Sequence, residues 1–221
     1  MEQTASVTEK ASTVSVDRSR SGERGFTLME IVVILAVLAI LIATLTPTVL
    51  KYINDSQLAR AKNDVQMISA AMGSIIQDTG QYPGALADAN FLCGPGSVSA
   101  AIANGNGWAT TLVGAIGVSC TLTAHTATLG NSLASHLVVN DPSEDGAGTD
   151  YTASGNFRWK GPYVQSLNED PWGNAYQINV STLTGSNTAA TWVISAGPNG
   201  VFDTATTATA VAGDDIGIRI K

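Results

Sequence analysis

From Ile31 to Leu50 the chain reads IVVILAVLAILIATLTPTVL, twenty positions without a charge. Apolar residues fall on every side of a helix drawn through this run, so no face is left for water. At about 1.5 Å of rise per residue the helix would be ~30 Å long, the thickness of a bilayer's hydrocarbon core. Length and uniformity favour a membrane helix over a buried core helix, because helices apolar all round are uncommon in soluble domains of this size. Pro47 removes a backbone bond and crowds the preceding turn, which predicts a kink or local melting. Thr44, Thr46 and Thr48 stand near enough to bond freed carbonyls.

Beyond Leu50 the pattern changes without a break. Leu58, Ala61, Val65, Ile68, Met72 and Ile75 follow steps of three and four, one apolar stripe of a helix, while Arg60, Asn63, Gln66 and Ser74 take other faces. Thr79-Gly80 and then Pro83 supply stop signals. One helix of ~50 residues, spanning ~75 Å, is predicted. Near the C-terminus the period changes to two. Tyr176, Ile178 and Val180 alternate as one strand face, Trp192–Ser195 reads as a second strand, and Ile216, Ile218 and Ile220 as a last one. Asp170-Pro171-Trp172-Gly173-Asn174 and Gly197-Pro198-Asn199-Gly200 are turns between them. The fold class is therefore α+β: a long N-terminal helix, half membrane and half amphipathic, packed on a small antiparallel sheet.

Charge narrows the function. Lys and Arg total 11 against 18 Asp and Glu, a net charge of −7, and charged residues are only 13% of the chain. From Asp64 to Ile218 only Arg158 and Lys160 are basic, against twelve acids. Such a head lacks the basic face that nucleic acid requires. Arg18, Arg20 and Arg24 precede the apolar run, so the positive-inside bias keeps the N-terminus cytoplasmic and puts everything after Leu50 across the membrane. No G-x-S-x-G, H-E-x-x-H, P-loop or dinucleotide fingerprint occurs, and His125 and His136 have no ligand-spaced partners; both read as loop residues. The chain does not read as an enzyme.

The junction before the apolar run is unusual. A secretory signal is cut after its apolar stretch. Here Gly25-Phe26-Thr27-Leu28-Met29-Glu30 sits in front of it, and Glu30 is an acid at the head of a membrane helix, where an ion needs a partner. The segment GERGFTLMEIVVILAVLAILIATLTP, Gly22 to Pro47, resembles the type IV prepilins and the pseudopilins of type II secretion. The resemblance implies that a prepilin peptidase cuts between Gly25 and Phe26, that Phe26 is N-methylated, and that Glu30 serves assembly. The freed amine of one subunit would meet Glu30 of another; a Glu30 that merely snorkels to the interface is the alternative. Residues 1–25 would be a cleaved leader, 26–50 the transmembrane half of the helix, and 51–80 its amphipathic half.

A second block extends the resemblance. Trp159-Lys160-Gly161-Pro162-Tyr163-Val164, the Asp170–Ile178 turn and strand, and the Ser195–Ile216 frame are similar to the major pseudopilin of type II secretion systems. Residues 159–221 would form the pseudopilin-like head. That family carries calcium in the loop before its last strand, held by carboxylates and carbonyls as a hard cation requires. By position Asp214 and Asp215 match the paired acids, with Asp203, Asn199 and backbone oxygens around Ser195 as weaker ligands. Asn199 stands where the family usually has an acid. A solvated acidic loop is the alternative. Residues 81–158 form a variable region rich in Gly, Ala, Ser and Thr, within which Gly84–Phe157 depart from the family and read as a surface decoration or a filament contact. Asp141-Pro142-Ser143-Glu144-Asp145-Gly146 within them is an acidic turn. In an oxidising compartment Cys93 and Cys120 would form a disulfide worth about 3–4 kcal/mol; two free buried thiols are the other reading.

The resemblance implies a structural subunit of a pseudopilus at the inner membrane, single-pass, polymerised with its own kind and other pseudopilins on an inner-membrane secretion platform to drive export. A type IV pilus subunit for adhesion, motility or DNA uptake is the second possibility. The G-P-Y and D-P-W-G-N blocks favour the first.

Overall fold

A computed structural model describes residues 25–83, 90–109, 111–113, 119–121, 132–142, 151–183 and 189–221. The chain divides into two units, Met1–Val49 and Leu50–Lys221. The described part of the first unit is the start of α1, a helix running Leu28–Thr79. It is the one helix among the described residues long and apolar enough to cross a membrane. Every residue from Gly25 to Val49 is exposed, Leu35 and Ile42 at 59% and 63% among them. No core among the described residues covers that surface.

The expected melting at Pro47 does not occur; the helix runs through it. Thr44 Oγ1 donates to the Leu41 carbonyl at 3.0 Å and Thr46 Oγ1 to the Ile42 carbonyl at 2.7 Å. These hydroxyls add bonds to the turn ahead of the proline, where its ring crowds the ladder.

In the second unit α1 buries one stripe: Ala61, Val65, Ile68, Ala71, Met72 and Ile75. Burying side chains such as Ile68, Met72 and Ile75 stabilises by roughly 1.5–3 kcal/mol each. The stripe packs with Leu92, Tyr176, Ile178, Val193 and Ile216. These come from a four-stranded antiparallel sheet in the order β1 (Leu92–Cys93), β4 (Gln177–Ile178), β5 (Trp192–Ser195), β6 (Ile216–Arg219). Val193 pairs with Ile178 on one side and Ile218 on the other. The strand expected through Val180 stops at Ile178, and Val180–Thr182 turn into a short 3-10 helix. Asn179 sets this break: its Oδ1 accepts from the Trp192 N–H at 2.6 Å and its Nδ2 donates to the Ala190 carbonyl at 2.9 Å.

The sheet has a second core on its other face. Trp108, Phe202, Trp192, Ile194 and Cys93 gather there, with the Trp108 and Phe202 rings 5.1 Å apart. This corrects the reading of 81–158 as decoration. Among its described residues Trp108, Ala109, Leu133, Leu137 and Tyr151 are fully buried. Trp108 and Ala109 follow α2 (Ala100–Ala103), Leu133 and Leu137 belong to α3 (Leu133–Leu137), and Tyr151 lies beyond it; between α2 and α3 in sequence, β2 (Thr111–Val113) pairs antiparallel with β3 (Ser119–Thr121). His136 is likewise no loop residue. It is buried in α3, its Nδ1 2.6 Å from the Tyr151 hydroxyl. Gly, Ala, Ser and Thr hid this core because the few large side chains are widely spaced. His125 and the Ser143–Gly146 turn lie outside the described residues.

Candidate functional site

Two places carry the expected chemistry, one in each unit. The first is the start of α1. Thr27 Oγ1 accepts from the Glu30 N–H at 3.2 Å, and the Thr27 carbonyl accepts the same N–H at 3.1 Å. A hydroxyl three residues before an acid is half of a capping box, and the acid also complements the helix dipole. Thr27 is thus a functional side chain the reading above left out, although the T-x-x-E spacing was there to signal it. Glu30 is exposed, as are Gly25 and Phe26, the latter at 72%. A Cβ at Gly25 would meet nothing within 4 Å. The packing of the described residues therefore imposes no glycine there. The leader itself lies outside the described residues.

The second place is the loop between β5 and β6. Gly197 and Gly213 have φ of 64° and 62°. A Cβ at Gly197 would strike the Asp214 carbonyl, and one at Gly213 the Asp203 carboxylate. These close approaches bring the acids together. Asn199 links two of them: its N–H donates to Asp214 Oδ2 at 2.9 Å and its Nδ2 to Asp203 Oδ2 at 3.0 Å. Asp215 Oδ2 accepts from the Thr204 N–H at 2.7 Å, while its buried Oδ1 has no hydrogen-bond partner. Burial, aided by the charge of Asp203 and opposed by hydrogen bonds from Thr204, pushes the Asp215 carboxyl up to about 6. The Ser195 hydroxyl donates to Asp170 Oδ2 at 2.7 Å. Among the described residues no three His, Cys, Asp or Glu side chains are grouped so as to hold a metal ion.

The two recognisable blocks have structural work. Asp170 is buried, and its Oδ1 accepts from the N–H groups of Trp172 and Asn174 at 3.0 and 2.8 Å. Burial raises its pKa against these bonds and that from Ser195. The Trp159–Tyr163 block closes the end of α1. The Arg158 N–H donates to the Asp78 carbonyl at 2.9 Å, Lys160 Nζ lies 2.6 Å from Asp78 Oδ1, and the Tyr163 hydroxyl donates to Asp78 Oδ2 at 3.2 Å. The Lys160 contact holds the Asp78 carboxyl below its ordinary range. Cys93 is disulfide-bonded. Cys120 lies in β3, and its side chain is outside the described residues.

Known proteins agree with both ends of the chain. Residues 20–46 match the prokaryotic N-terminal methylation motif, and residues 142–213 match protein G of the type II secretion system. The chain is 36% identical over 64 residues to the type II secretion system core protein G of Pseudomonas aeruginosa, which covers 29% of this chain and 45% of that protein. The chain thus spans less than half of this relative's length. No solved structure matches it. The methylation motif running into an apolar helix, and that helix continuing into an antiparallel head, define a prepilin-like protein. Over residues 142–213 the chain is similar to protein G of the type II secretion system.

Proposed function

We propose that the chain is a structural subunit of a type II secretion pseudopilus, and that it has no catalytic role. The observation that carries this is the presence, in one chain, of the methylation motif at 20–46 and the protein G match at 142–213. Prepilin peptidase would cut Gly25–Phe26 and methylate Phe26. The freedom of space at Gly25 supports a peptidase, rather than the fold, as the reason for glycine there. The chain would enter the inner membrane once, N-terminus cytoplasmic, and polymerise with its own kind and other pseudopilins on the secretion platform. Arg18, Arg20 and Arg24 support that orientation, and so does the oxidised Cys93, since disulfides persist outside the cytoplasm. Glu30, exposed at the first turn, would meet the amine of a neighbouring Phe26 during assembly.

Mass spectrometry of the mature protein should find methylated Phe26 at its start, and electron microscopy should find filaments in cells overproducing it. A mature N-terminus beyond Leu50 would mean that the apolar run is an ordinary signal. Glu30→Gln should still insert into the membrane but lose most filaments, because the neutral side chain cannot pair with a neighbour's amine.

Calcium at the β5–β6 loop belongs to the same proposal. Support comes from the unpartnered, buried Asp215 Oδ1 and from Asp203 and Asp214 held close by glycines. A hard cation would draw the three carboxylates closer than they stand here, and would take the Asn199 amide from its present contacts with Asp203 and the Val201 N–H. The ion would neutralise acids that now repel one another. The head, from about Gln57 onward, should melt higher in millimolar calcium than in chelator, with Asp214→Ala erasing much of the difference. Equal melting temperatures would remove the ion and leave the filament untouched.

A further inference from the structure

Between α1 and β6 runs an apolar groove of about 660 Å³. Leu58 and Val65 of the helix, Ile216 and Ile218 of the edge strand, and Pro198 and Val211 of the loops line it. Val211 is 37% exposed. Charges of opposite sign border the groove, Lys62 from the helix and Asp214 from the loop. Neither has an ion-pair partner among the described residues. Water facing this much apolar lining is unfavourable, so the surface calls for a cover.

The same unit carries a surface of matching character. Tyr52 and Ile53 protrude from α1, exposed by 71% and 48%. Lys51 and Asp55 lie one turn apart beside them, both exposed and without an ion-pair partner among the described residues. We propose that the groove receives residues 50–55 of a second copy of this chain. Tyr52 and Ile53 cover the apolar lining, Lys51 meets Asp214, and Asp55 meets Lys62. Both groove charges thereby find a mate of opposite sign, and so do both charges of the incoming turn. The contact rests on the pseudopilus reading and specifies which surfaces of successive subunits meet.

The shapes decide the symmetry. Two grooves facing each other would leave a void with no atoms to fill it. A protruding turn in a groove uses two different patches of one chain, which is a heterologous contact. Such contacts build an open helical filament when the rotation from one copy to the next does not close a ring. Before assembly, Lys51 and Tyr52 follow directly on the apolar run, where lysine and tyrosine suit lipid headgroups. Leaving the membrane exchanges that setting for the groove.

The test uses the full-length chain in cells that form filaments. Tyr52→Cys and Val211→Cys placed together should give, on oxidation, a ladder of covalent multimers, and neither alone should. Asp55→Lys and Lys62→Asp should each lower filament yield on the order of tenfold, and the two combined should restore most of it, since the swapped charges again attract. Thermal melting of the detergent-solubilised variants should match the unaltered chain, separating lost contact from lost folding. Filaments without a ladder, a combined variant no better than the single ones, or ladders from either single cysteine would overturn the contact alone. Charge reversals that change membrane partitioning while leaving filament yield intact would assign residues 50–55 to lipid and overturn it too. No filaments from the unaltered, processed chain would overturn both this contact and the pseudopilus reading.

Discussion

The two units of this chain use one helix in opposite ways. Leu28–Val49 exposes apolar side chains on every face and buries none of them in the chain itself. Leu50–Thr79 buries a single stripe and leaves the other faces to water. Uniform hydrophobicity is legible by length alone, because a bilayer asks only for enough apolar residues in a row. One-sided hydrophobicity depends on what packs against the stripe, here a sheet with three of its four strands about a hundred or more positions away.

An acid introduced on either side of Leu50 should separate the two uses. Ile68→Asp places an unpaired charge in the head's core, where Ile68 is 1% exposed, and should abolish cooperative folding of the head. Leu38→Asp, at an exposed position of the apolar run, should leave the melting temperature of the head unchanged and reduce membrane insertion instead. If Leu38→Asp also destabilised the head, the distinction between the units would fail.

A smaller effect tests the acidic loop. Asp215 titrates near 6 in the folded head, against about 4 for an unfolded aspartate. The folded state therefore holds this proton more tightly. Its contribution is fully present below pH ~4 and is lost as the pH rises through ~6, about 3 kcal/mol in all. Denaturation of the head in chelator should follow that slope, and Asp215→Asn should flatten it. Calcium held as proposed, by the ionised carboxylate, would oppose it.

The smallest effect concerns the helix start. Thr27→Ala removes the hydroxyl that accepts from Glu30 and should weaken the first turn by ~1 kcal/mol. Amide exchange should quicken at Leu28–Ile31 and stay unchanged around Ile68. Thr27→Ser should restore protection.

Much of the fold could be read from residue order. The apolar run, the stripe from Leu58 to Ile75 and the strand Trp192–Ser195 all show their period directly, since each is a local pattern facing one kind of surroundings. The second core could not. Trp108 and Phe202 are nearly a hundred positions apart, and nothing in the small residues around either one announces the other. The N-terminal motif was legible as chemistry because it is contiguous, whereas the state of the acids was not. That Asn199 bridges Asp203 and Asp214, or that Asp215 is buried with one bare oxygen, depends on how glycines at 197 and 213 fold the loop.

The insertion reaches that loop. Trp108 Nε1 donates to the Thr204 carbonyl at 2.6 Å, Asn106 Nδ2 to the Phe202 carbonyl at 2.6 Å, and the Phe202 N–H to the Ile102 carbonyl at 2.7 Å. Residues 202–204 are therefore moored to the segment 102–108. A loop with such a mooring keeps its course whether or not an ion sits in it, which relaxes the demand on any single ligand. The same mooring ties the fates of the two segments together: grafting the loop into a relative without residues 102–108 would transplant the acids and leave behind what steers them.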